Sequence, residues 1–237
     1  MRAFMIPAIF ADASTEPTAM TERPTCPLCA AAHCSHYHRD ARRDYLQCPC
    51  CALIFVPPAY HLGPAAERAV YDQHQNSPDD AGYRRFLSRL FTPLAAELAP
   101  GDRGLDFGSG PGPTLSVMFE EAGHPMAIYD PYYAPDSAVL AGEYDFITAT
   151  EVIEHLSAPG PELARLVALL RPGGWLGLMT KRPRDREAFT GWHYILDPTH
   201  VSFYSEQTLR WFATAYGLAV RFPADDVALL HKPLEGS

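Results

Sequence analysis

The chain has 237 residues, of which 47% are hydrophobic and 20% charged, an ordinary composition for one globular domain with a small appendage. Aromatic residues make up 11% of the chain, enough for a packed core, so wholesale disorder is excluded. The formal net charge is -9, which argues against a surface that binds nucleic acid throughout. No apolar run approaches the roughly 18–20 residues that cross a bilayer, so the sequence does not predict a membrane protein.

The first residues predict an extension outside the folded protein. Their apolar segment, 4–11, is short and interrupted by Pro7, unlike the core of a secretory signal. Met20 stands shortly before the first cysteine pair, so we expect it to be the natural start and residues 1–22 to be disordered or non-native. We expect the protein in the cytoplasm, whose reducing conditions suit the cysteines that follow.

All six cysteines lie between Cys26 and Cys51, which predicts one small module over residues 23–60. Two C-x-x-C pairs, eighteen residues apart, have the spacing of a four-thiolate zinc site. A module of about 35 residues buries too little apolar surface to fold alone, so a structural zinc ion would supply folding energy. The predicted ligands are Cys26, Cys29, Cys48 and Cys51.

Strands predicted over 43–47 and 53–56 flank the second pair, and the module resembles a zinc ribbon. Ribbons usually place glycine after the second cysteine of each pair, where φ is positive, but Ala30 and Ala52 stand here. Redox-active or disulfide-bonded cysteines are the alternative. The competing ligands are His33, His36, His38, Cys34 and Cys50.

From residue 80 onward, the pattern alternates between helices and strands. Strands are predicted over 105–107, 126–129, 144–150, 175–180, 219–222 and 227–231, and helices over 80–98, 113–122, 162–170 and 205–216. This order predicts an α/β fold with a Rossmann-like, doubly wound, mostly parallel sheet that binds ligands at the carboxyl ends of its strands. We assign residues 61–100 to linking helices or a lid, and 101–237 to the main domain.

Four motifs follow one another over about 75 residues of this region. They are LDFGSGPG at 105–112, Asp130 after the second strand, YDFITATEVIEHL at 144–156 and LLRPGGWLGLMT at 169–180. On these motifs the chain resembles the class I S-adenosylmethionine-dependent methyltransferases over roughly residues 80–230. The glycine spacing alone departs from the G-x-G-x-x-G fingerprint of dinucleotide-binding proteins.

The resemblance implies S-adenosylmethionine as cofactor and a set of residues that bind it. Glycines without side chains would let the cofactor's amino acid end approach the backbone, and Asp130 would accept hydrogen bonds from both ribose hydroxyls. Asp106 would face the sulfonium or amino acid end, directly or through the glycine turn, and Glu151 would lie beside the methionine moiety. The cofactor-binding set is Asp106, Gly108, Ser109, Gly110, Asp130, Pro131 and Glu151.

The chain departs from the family pattern between Asp130 and Tyr144. Only thirteen residues intervene, too few for the helix, strand and helix that the family places there. We therefore predict that one edge strand is missing and that the sheet has about six strands. Pro131, Tyr132 and Tyr133 would then flank the adenine in place of the lost acidic contact.

Two histidines are candidates for a base, which is needed only if the acceptor must lose a proton. His155 lies four residues after Glu151, one turn along a predicted helix. His200 lies in the loop 192–204, within the stretch Asp197-Pro-Thr-His, similar to a D-x-T-H stretch in small-molecule methyltransferases. A packed or surface histidine is the alternative for each.

The sequence thus predicts a methyltransferase with a small-molecule acceptor, methylated at oxygen, nitrogen or carbon. One alternative is an RNA or protein methyltransferase whose zinc ribbon docks the macromolecule. That alternative requires a continuous basic surface joining Arg39, Arg42 and Arg43 to the cluster at 181–186. The other is a non-catalytic module that only binds the cofactor. The acceptor's identity and the oligomeric state do not follow from the sequence.

Overall fold

The computed structural model of the protein describes residues 24–73 and 76–234. The extension predicted over residues 1–22, with Met20 as the start, lies outside the described residues. Across the part that is described, no helix has both the length and the apolar character needed to span a membrane.

Within these described ranges the chain forms ten strands and six α-helices. The strands are β1 (Ser35–Arg39), β2 (Asp44–Gln47), β3 (Ile54–Phe55), β4 (Gly104–Phe107), β5 (Met126–Tyr129), β6 (Tyr144–Thr150), β7 (Leu170–Met179), β8 (Ser202–Phe203), β9 (Ala219–Ala224) and β10 (Val227–His231). The helices are α1 (Pro64–Tyr71), α2 (Ala81–Ala95), α3 (Thr114–Glu121), α4 (Pro159–Leu169), α5 (Arg186–Thr190) and α6 (Glu206–Ala215).

The larger sheet has the strand order β5-β4-β6-β7-β10-β9. The first four strands are parallel, whereas β10 runs antiparallel to both β7 and β9. The inner strands are buried on both faces, as a sheet covered by helices requires. The predicted α/β fold with six strands is thus confirmed.

The missing strand is replaced by a compact turn. After β5, the backbone groups of Asp130 and Ala134 form two hydrogen bonds of 3.0 Å with each other. A short 3-10 helix, Ser137–Ala141, then leads directly to β6. The edge strand β5 therefore has β4 as its neighbour and ends beside this turn.

The prediction that a helix begins at Glu151 is wrong. Glu151 has φ = +52°, and only a single 3-10 turn, Ile153–His155, follows before α4 begins at Pro159. The backbone N–H of Glu151 donates to the carbonyl of Met179 at 2.7 Å. This bond continues the contact with β7 beyond the end of β6, so the chain cannot turn into a helix there.

The smaller sheet joins the cysteine module to β8, which lies between α5 and α6 of the main domain. Its antiparallel order is β1-β2-β3-β8, with Ile54 opposite Phe203 and Phe55 opposite Ser202. The predicted strands 43–47 and 53–56 correspond to β2 and β3, whereas β1 and β8 are not in the sequence prediction. The loop that carries His200 therefore ends as a strand of the module's own sheet.

Candidate functional site

A cavity of about 670 Å³ opens at the carboxyl ends of β4, β5 and β6. Its size lies in the range of small-molecule sites. The central cavity, as we call it, is lined by most of the predicted site residues: Gly108, Ser109, Gly110, Asp130, Pro131, Glu151, His155 and His200.

The glycine turn after β4 adopts a conformation that requires glycine. Gly108 has φ = +76° and Gly110 has φ = +65°. A Cβ on Gly108 would lie 2.4 Å from Cγ2 of Val152, so this position also lacks space for a side chain. The N–H of Gly108 donates to the carbonyl of Tyr129 at 2.7 Å, which fixes the turn against β5.

Asp130 organises two loops as well as facing the cavity. One carboxylate oxygen accepts a 3.0 Å hydrogen bond from the N–H of Gly110. The other accepts hydrogen bonds from the N–H groups of Tyr132 (2.8 Å) and Tyr133 (3.1 Å). The carboxylate is thus held between the glycine turn and the turn that replaces the missing strand.

Asp106 is the one predicted cofactor residue that does not line the central cavity. It is buried, and its carboxylate accepts a 2.7 Å hydrogen bond from the hydroxyl of Thr148. Burial raises the pKa of Asp106 to about 6, and the nearby charge of Asp130 acts in the same direction. Its position beneath the glycine turn suits indirect support of that turn.

Helix α1 covers the side of the cavity that the missing strand leaves open. The hydroxyl of Tyr132 donates to Glu67 at 2.7 Å, and the hydroxyl of Tyr133 donates to Asp72 at 2.6 Å. Tyr71, on the same helix, also lines the cavity and packs edge-on against His155 with the ring centroids 5.2 Å apart. The sequence carries no signal for these pairings, since they join residues about 60 positions apart.

The two candidate histidines meet at the other end of the central cavity. Their ring centroids lie 4.7 Å apart. The Nδ1 atom of His200 is 2.7 Å from the carbonyl oxygen of Tyr194, so it carries the proton and donates to that carbonyl. Burial lowers the pKa of His200 below its ordinary value, which favours the neutral ring.

Beneath the histidines lies a pair of glutamates that share one tyrosine. The hydroxyl of Tyr194 is hydrogen-bonded to Glu154 and lies 3.3 Å from Glu151. Burial raises the pKa of both carboxyl groups, and the charge of Glu151 raises the pKa of Glu154 further. Glu154 and Tyr194 are not among the site residues predicted from the sequence, although Glu154 stands in the motif that includes His155.

The structure brings the four predicted thiols together. Their sulfur atoms all lie within 4.8 Å of one another, and no competing histidine or cysteine belongs to this group in the part of the chain described. The described residues include all six cysteines and form no disulfide. Ala30 and Ala52 have φ = +58° and +60°, so the two knuckles adopt the ribbon conformation without glycine.

Arginines of the cysteine module bind the loop that carries His200. Arg43 is buried and donates to the carbonyls of Ile195 (2.9 Å), Asp197 (2.9 Å) and Pro198 (3.1 Å). Arg42 donates to the carbonyls of Ile195 and Leu196 at 2.8 Å and 2.7 Å. These guanidinium groups stabilise the loop internally.

Four of the basic residues required for nucleic acid binding have intramolecular partners. Arg39 contacts Asp44 at 2.9 Å, and Arg42 and Arg43 bind the loop just described. In the cluster at 181–186, Arg182 donates to the carbonyls of Ala224 (2.8 Å) and Val227 (3.1 Å). The arrangement gives no support to a continuous basic surface across the module and this cluster.

A family model described as a methyltransferase domain matches residues 80–221. The match covers β4 to β8 and most of the larger sheet, including the glycine turn, Asp130 and both histidines.

Two curated relatives share shorter segments with the chain, and both are called ubiquinone biosynthesis O-methyltransferase. The protein of Bordetella avium is 34% identical over 59 residues, which are 24% of this chain and 24% of the relative. The protein of Burkholderia cenocepacia is 41% identical over 39 residues, 16% of this chain and 17% of the relative. The chain thus spans less than a quarter of the length of these relatives.

Solved structures that align with this protein have low sequence identity to it. An O-methyltransferase family protein from Burkholderia thailandensis aligns with a TM-score of 0.49 and 16% identity, covering 76% of this chain and 64% of that protein. Magnesium protoporphyrin IX methyltransferase from Synechocystis aligns with a TM-score of 0.46 and 18% identity, covering 70% of this chain and 91% of that protein.

Proposed function

Because the chain belongs to the methyltransferase-domain family, we propose that it transfers a methyl group from S-adenosylmethionine to a hydroxyl group of a small-molecule acceptor. The observation that carries the proposal is the central cavity, which is lined at one end by the glycine turn and Asp130 and at the other by two histidines. One small-molecule cavity therefore has a cofactor end and a reaction end.

The residues at the cofactor end fit S-adenosylmethionine. The turn at Gly108 and Gly110 leaves room for a ligand against the backbone, and Asp130 presents a fixed carboxylate to a ribose. Buried Ser109 Oγ and Glu151 Oε1 have no hydrogen-bond partner among residues 24–73 and 76–234. A hydroxyl and a carboxylate are suitable partners for the carboxylate and ammonium groups of the cofactor's amino acid end.

The bound cofactor supplies an activated methyl group: a lone pair on the acceptor oxygen forms the new bond to carbon while the carbon–sulfur bond breaks and its electron pair remains on sulfur. The protein's own contribution is to position the acceptor and to exclude water. Aromatic side chains on the cavity wall, from Tyr71, Tyr83 and Phe86, favour a flat apolar acceptor. The hydroxyl proton leaves toward the polar end, where His155 and His200 lie.

The choice of oxygen over nitrogen or carbon rests on the two relatives called ubiquinone biosynthesis O-methyltransferase, which match part of the chain. A macromolecular acceptor is less well supported, because the arginines of the module are already bound within the protein. A module that binds the cofactor without turnover would not explain why His155 and His200 lie together at the far end of the cavity.

We propose that Cys26, Cys29, Cys48 and Cys51 hold one structural Zn²⁺. The close group of four sulfur atoms fits a tetrahedral ion, and four protein ligands leave no open position for chemistry. The ion would fold the module, and the module holds the loop 192–204, which we call the acceptor loop, through Arg43 and the pairing of β3 with β8. The zinc site would then affect acceptor binding without contacting the acceptor.

The test begins with calorimetric titration of the purified protein with S-adenosylmethionine and S-adenosylhomocysteine. Asp130→Asn removes the charge that would bind the ribose, so we expect both affinities to fall at least about tenfold. Asp136→Asn is the matched control, because Asp136 caps a 3-10 helix outside the cavity lining.

Turnover is then measured as S-adenosylhomocysteine released in the presence of phenols and catechols. Release that depends on the acceptor supports methyl transfer to oxygen. Absence of binding of either cofactor form to folded, zinc-loaded protein would contradict the proposal, whereas binding without any turnover would favour the non-catalytic alternative.

A further inference from the structure

We propose that Glu154, His155 and His200 form a second metal site, which binds a first-row divalent cation, Zn²⁺ in the first instance, at the reaction end of the central cavity. One ligand atom from each residue lies within 4.8 Å of the other two. One carboxylate and two imidazoles form a donor set of catalytic zinc sites, where the remaining position is open to water or substrate. The inference rests on the proposed function, since it assigns the cation to the same acceptor site.

The first supporting observation is an unsatisfied oxygen. Glu154 is completely buried, and one of its carboxylate oxygens is hydrogen-bonded to Tyr194. The other oxygen, Oε2, has no hydrogen-bond partner in the described parts of the chain. A buried carboxylate oxygen without a partner is costly, so it indicates a group that the protein chain does not provide. A divalent cation beside the two histidines would be such a group.

The second observation is the orientation of His200. Its Nδ1–H donates to the carbonyl of Tyr194, which leaves the lone pair on Nε2 for another ligand. Histidines that bind metals almost always donate their other ring N–H to a carbonyl or carboxylate in this way. Because the Tyr194 hydroxyl also bonds Glu154, this one residue fixes two of the three proposed ligands.

The third observation is access. His155 and His200 line the central cavity, whereas Glu154 lies beneath them. An ion held by the three would therefore have its open side toward the space where the acceptor binds. As a Lewis acid it would polarise an acceptor hydroxyl and ease transfer of its proton to water in the cavity, which favours acceptors that present oxygen. The histidines would then act as ligands instead of proton acceptors.

The test uses full-length protein that already holds one Zn²⁺ in the four-thiolate site. Calorimetric titration with Co²⁺ should show one further equivalent bound, with visible absorption that lacks a new sulfur-to-cobalt charge-transfer band. Glu154→Gln and His200→Gln should weaken this binding at least about tenfold, because each removes a ligand. Glu206→Gln, an exposed carboxylate in the first turn of α6, is the matched control and should not change it.

Since Glu154 is buried, each variant is also examined by circular dichroism, and His155→Gln provides a less buried third ligand change. No second equivalent in the wild type, or equal binding by the folded cluster variants, would overturn the proposal. S-adenosylmethionine binding is measured on the same samples. Cofactor binding without the second ion would reject the metal site alone, and the second ion without cofactor binding would reject the proposed function.

Discussion

The Arg43 guanidinium donates a 2.9 Å hydrogen bond to the backbone carbonyl of Asp197, although 154 positions separate the two residues. The same buried group donates to the carbonyls of Ile195 and Pro198. Three carbonyl oxygens, from residues two to five positions before His200, thus accept hydrogen bonds from one guanidinium of the cysteine module. The conformation of the acceptor loop is therefore tied to the folding of a module far away in sequence.

We expect Arg43→Lys to raise the KM for the acceptor about tenfold while leaving the Kd of S-adenosylmethionine unchanged. A lysine ammonium cannot span three carbonyls as the planar guanidinium does, and hydrogen bonds of charged groups contribute about 1.5–3 kcal/mol each. Steady-state kinetics and calorimetry provide the two constants. Arg39→Lys, an exposed arginine of the same strand region, is the control. An equal loss of cofactor and acceptor affinity would contradict this role.

We expect Cys29→Ser to loosen the acceptor loop but not the cofactor end. Loss of one thiolate weakens the four-thiolate site, and without the ion the module cannot maintain β3 as a partner for β8. Hydrogen exchange of residues 195–204 should become faster, while S-adenosylmethionine should still bind. Cys50→Ser is the control, since Cys50 is exposed and lies outside the group of four sulfurs. Unchanged exchange in Cys29→Ser would show that the loop does not depend on the metal.

The sequence predicts the larger sheet well because each of its elements has a local pattern. The strand 126–129 is a continuous apolar run, and 144–150 combines aromatic, aliphatic and threonine residues typical of strands. The predicted bounds of both equal those of β5 and β6. The missing edge strand also follows from chain length alone, since thirteen residues are too few for a helix, a further strand and a second helix.

The parts that the sequence did not predict depend on contacts between distant residues. β8 has only two residues, too few for any periodicity, and it exists because β3 lies beside it. Glu154 has the appearance of an ordinary helical residue until folding buries it beside Tyr194, forty positions later. Likewise, nothing local indicates that Tyr132 is bound by Glu67 of α1 and Tyr133 by Asp72, the residue that follows this helix.

We expect Ala30→Gly to stabilise the zinc-loaded protein by about 0.5–1 kcal/mol. The positive φ of Ala30 costs an alanine about 1–2 kcal/mol, and the greater freedom of glycine in the unfolded chain offsets only part of the gain. Ala30 is exposed, so no packing is lost. Denaturation in zinc-containing buffer measures the change. Ala31→Gly, where φ is not positive, should instead destabilise the protein, and equal effects of both changes would refute the explanation.

We expect Gly108→Ala to destabilise the protein by about 2–4 kcal/mol and to abolish cofactor binding, because a Cβ combines a strained φ with a clash against Val152. Val152→Ala in the same chain should recover part of the stability by removing the clash. Gly110→Ala should cost only about 1–2 kcal/mol, since its Cβ would meet no atom within 4 Å. Urea denaturation of the four proteins gives the comparison, and similar losses at both glycines would contradict it.

We expect the stability of the Asp106→Asn variant, relative to that of the wild type, to increase as the pH rises. The folded-state pKa of Asp106 is about 6, above that of an unfolded aspartate, so its proton stabilises the fold at low pH. This stabilisation is fully present below about pH 4 and is lost as the pH rises through about 6.

Asparagine carries no such charge and still presents an oxygen to Thr148. The stability of Asp106→Asn relative to the wild type should therefore increase by about 1–2 kcal/mol between about pH 5 and about pH 7.5. The cost of burying the amide is the same at both pH values and cancels when the two stability differences are compared. The change of the difference with pH is therefore the quantity that tests the prediction. Urea denaturation at both pH values measures it. A difference in stability that does not change with pH would show that Asp106 is ionised in the folded protein throughout this range.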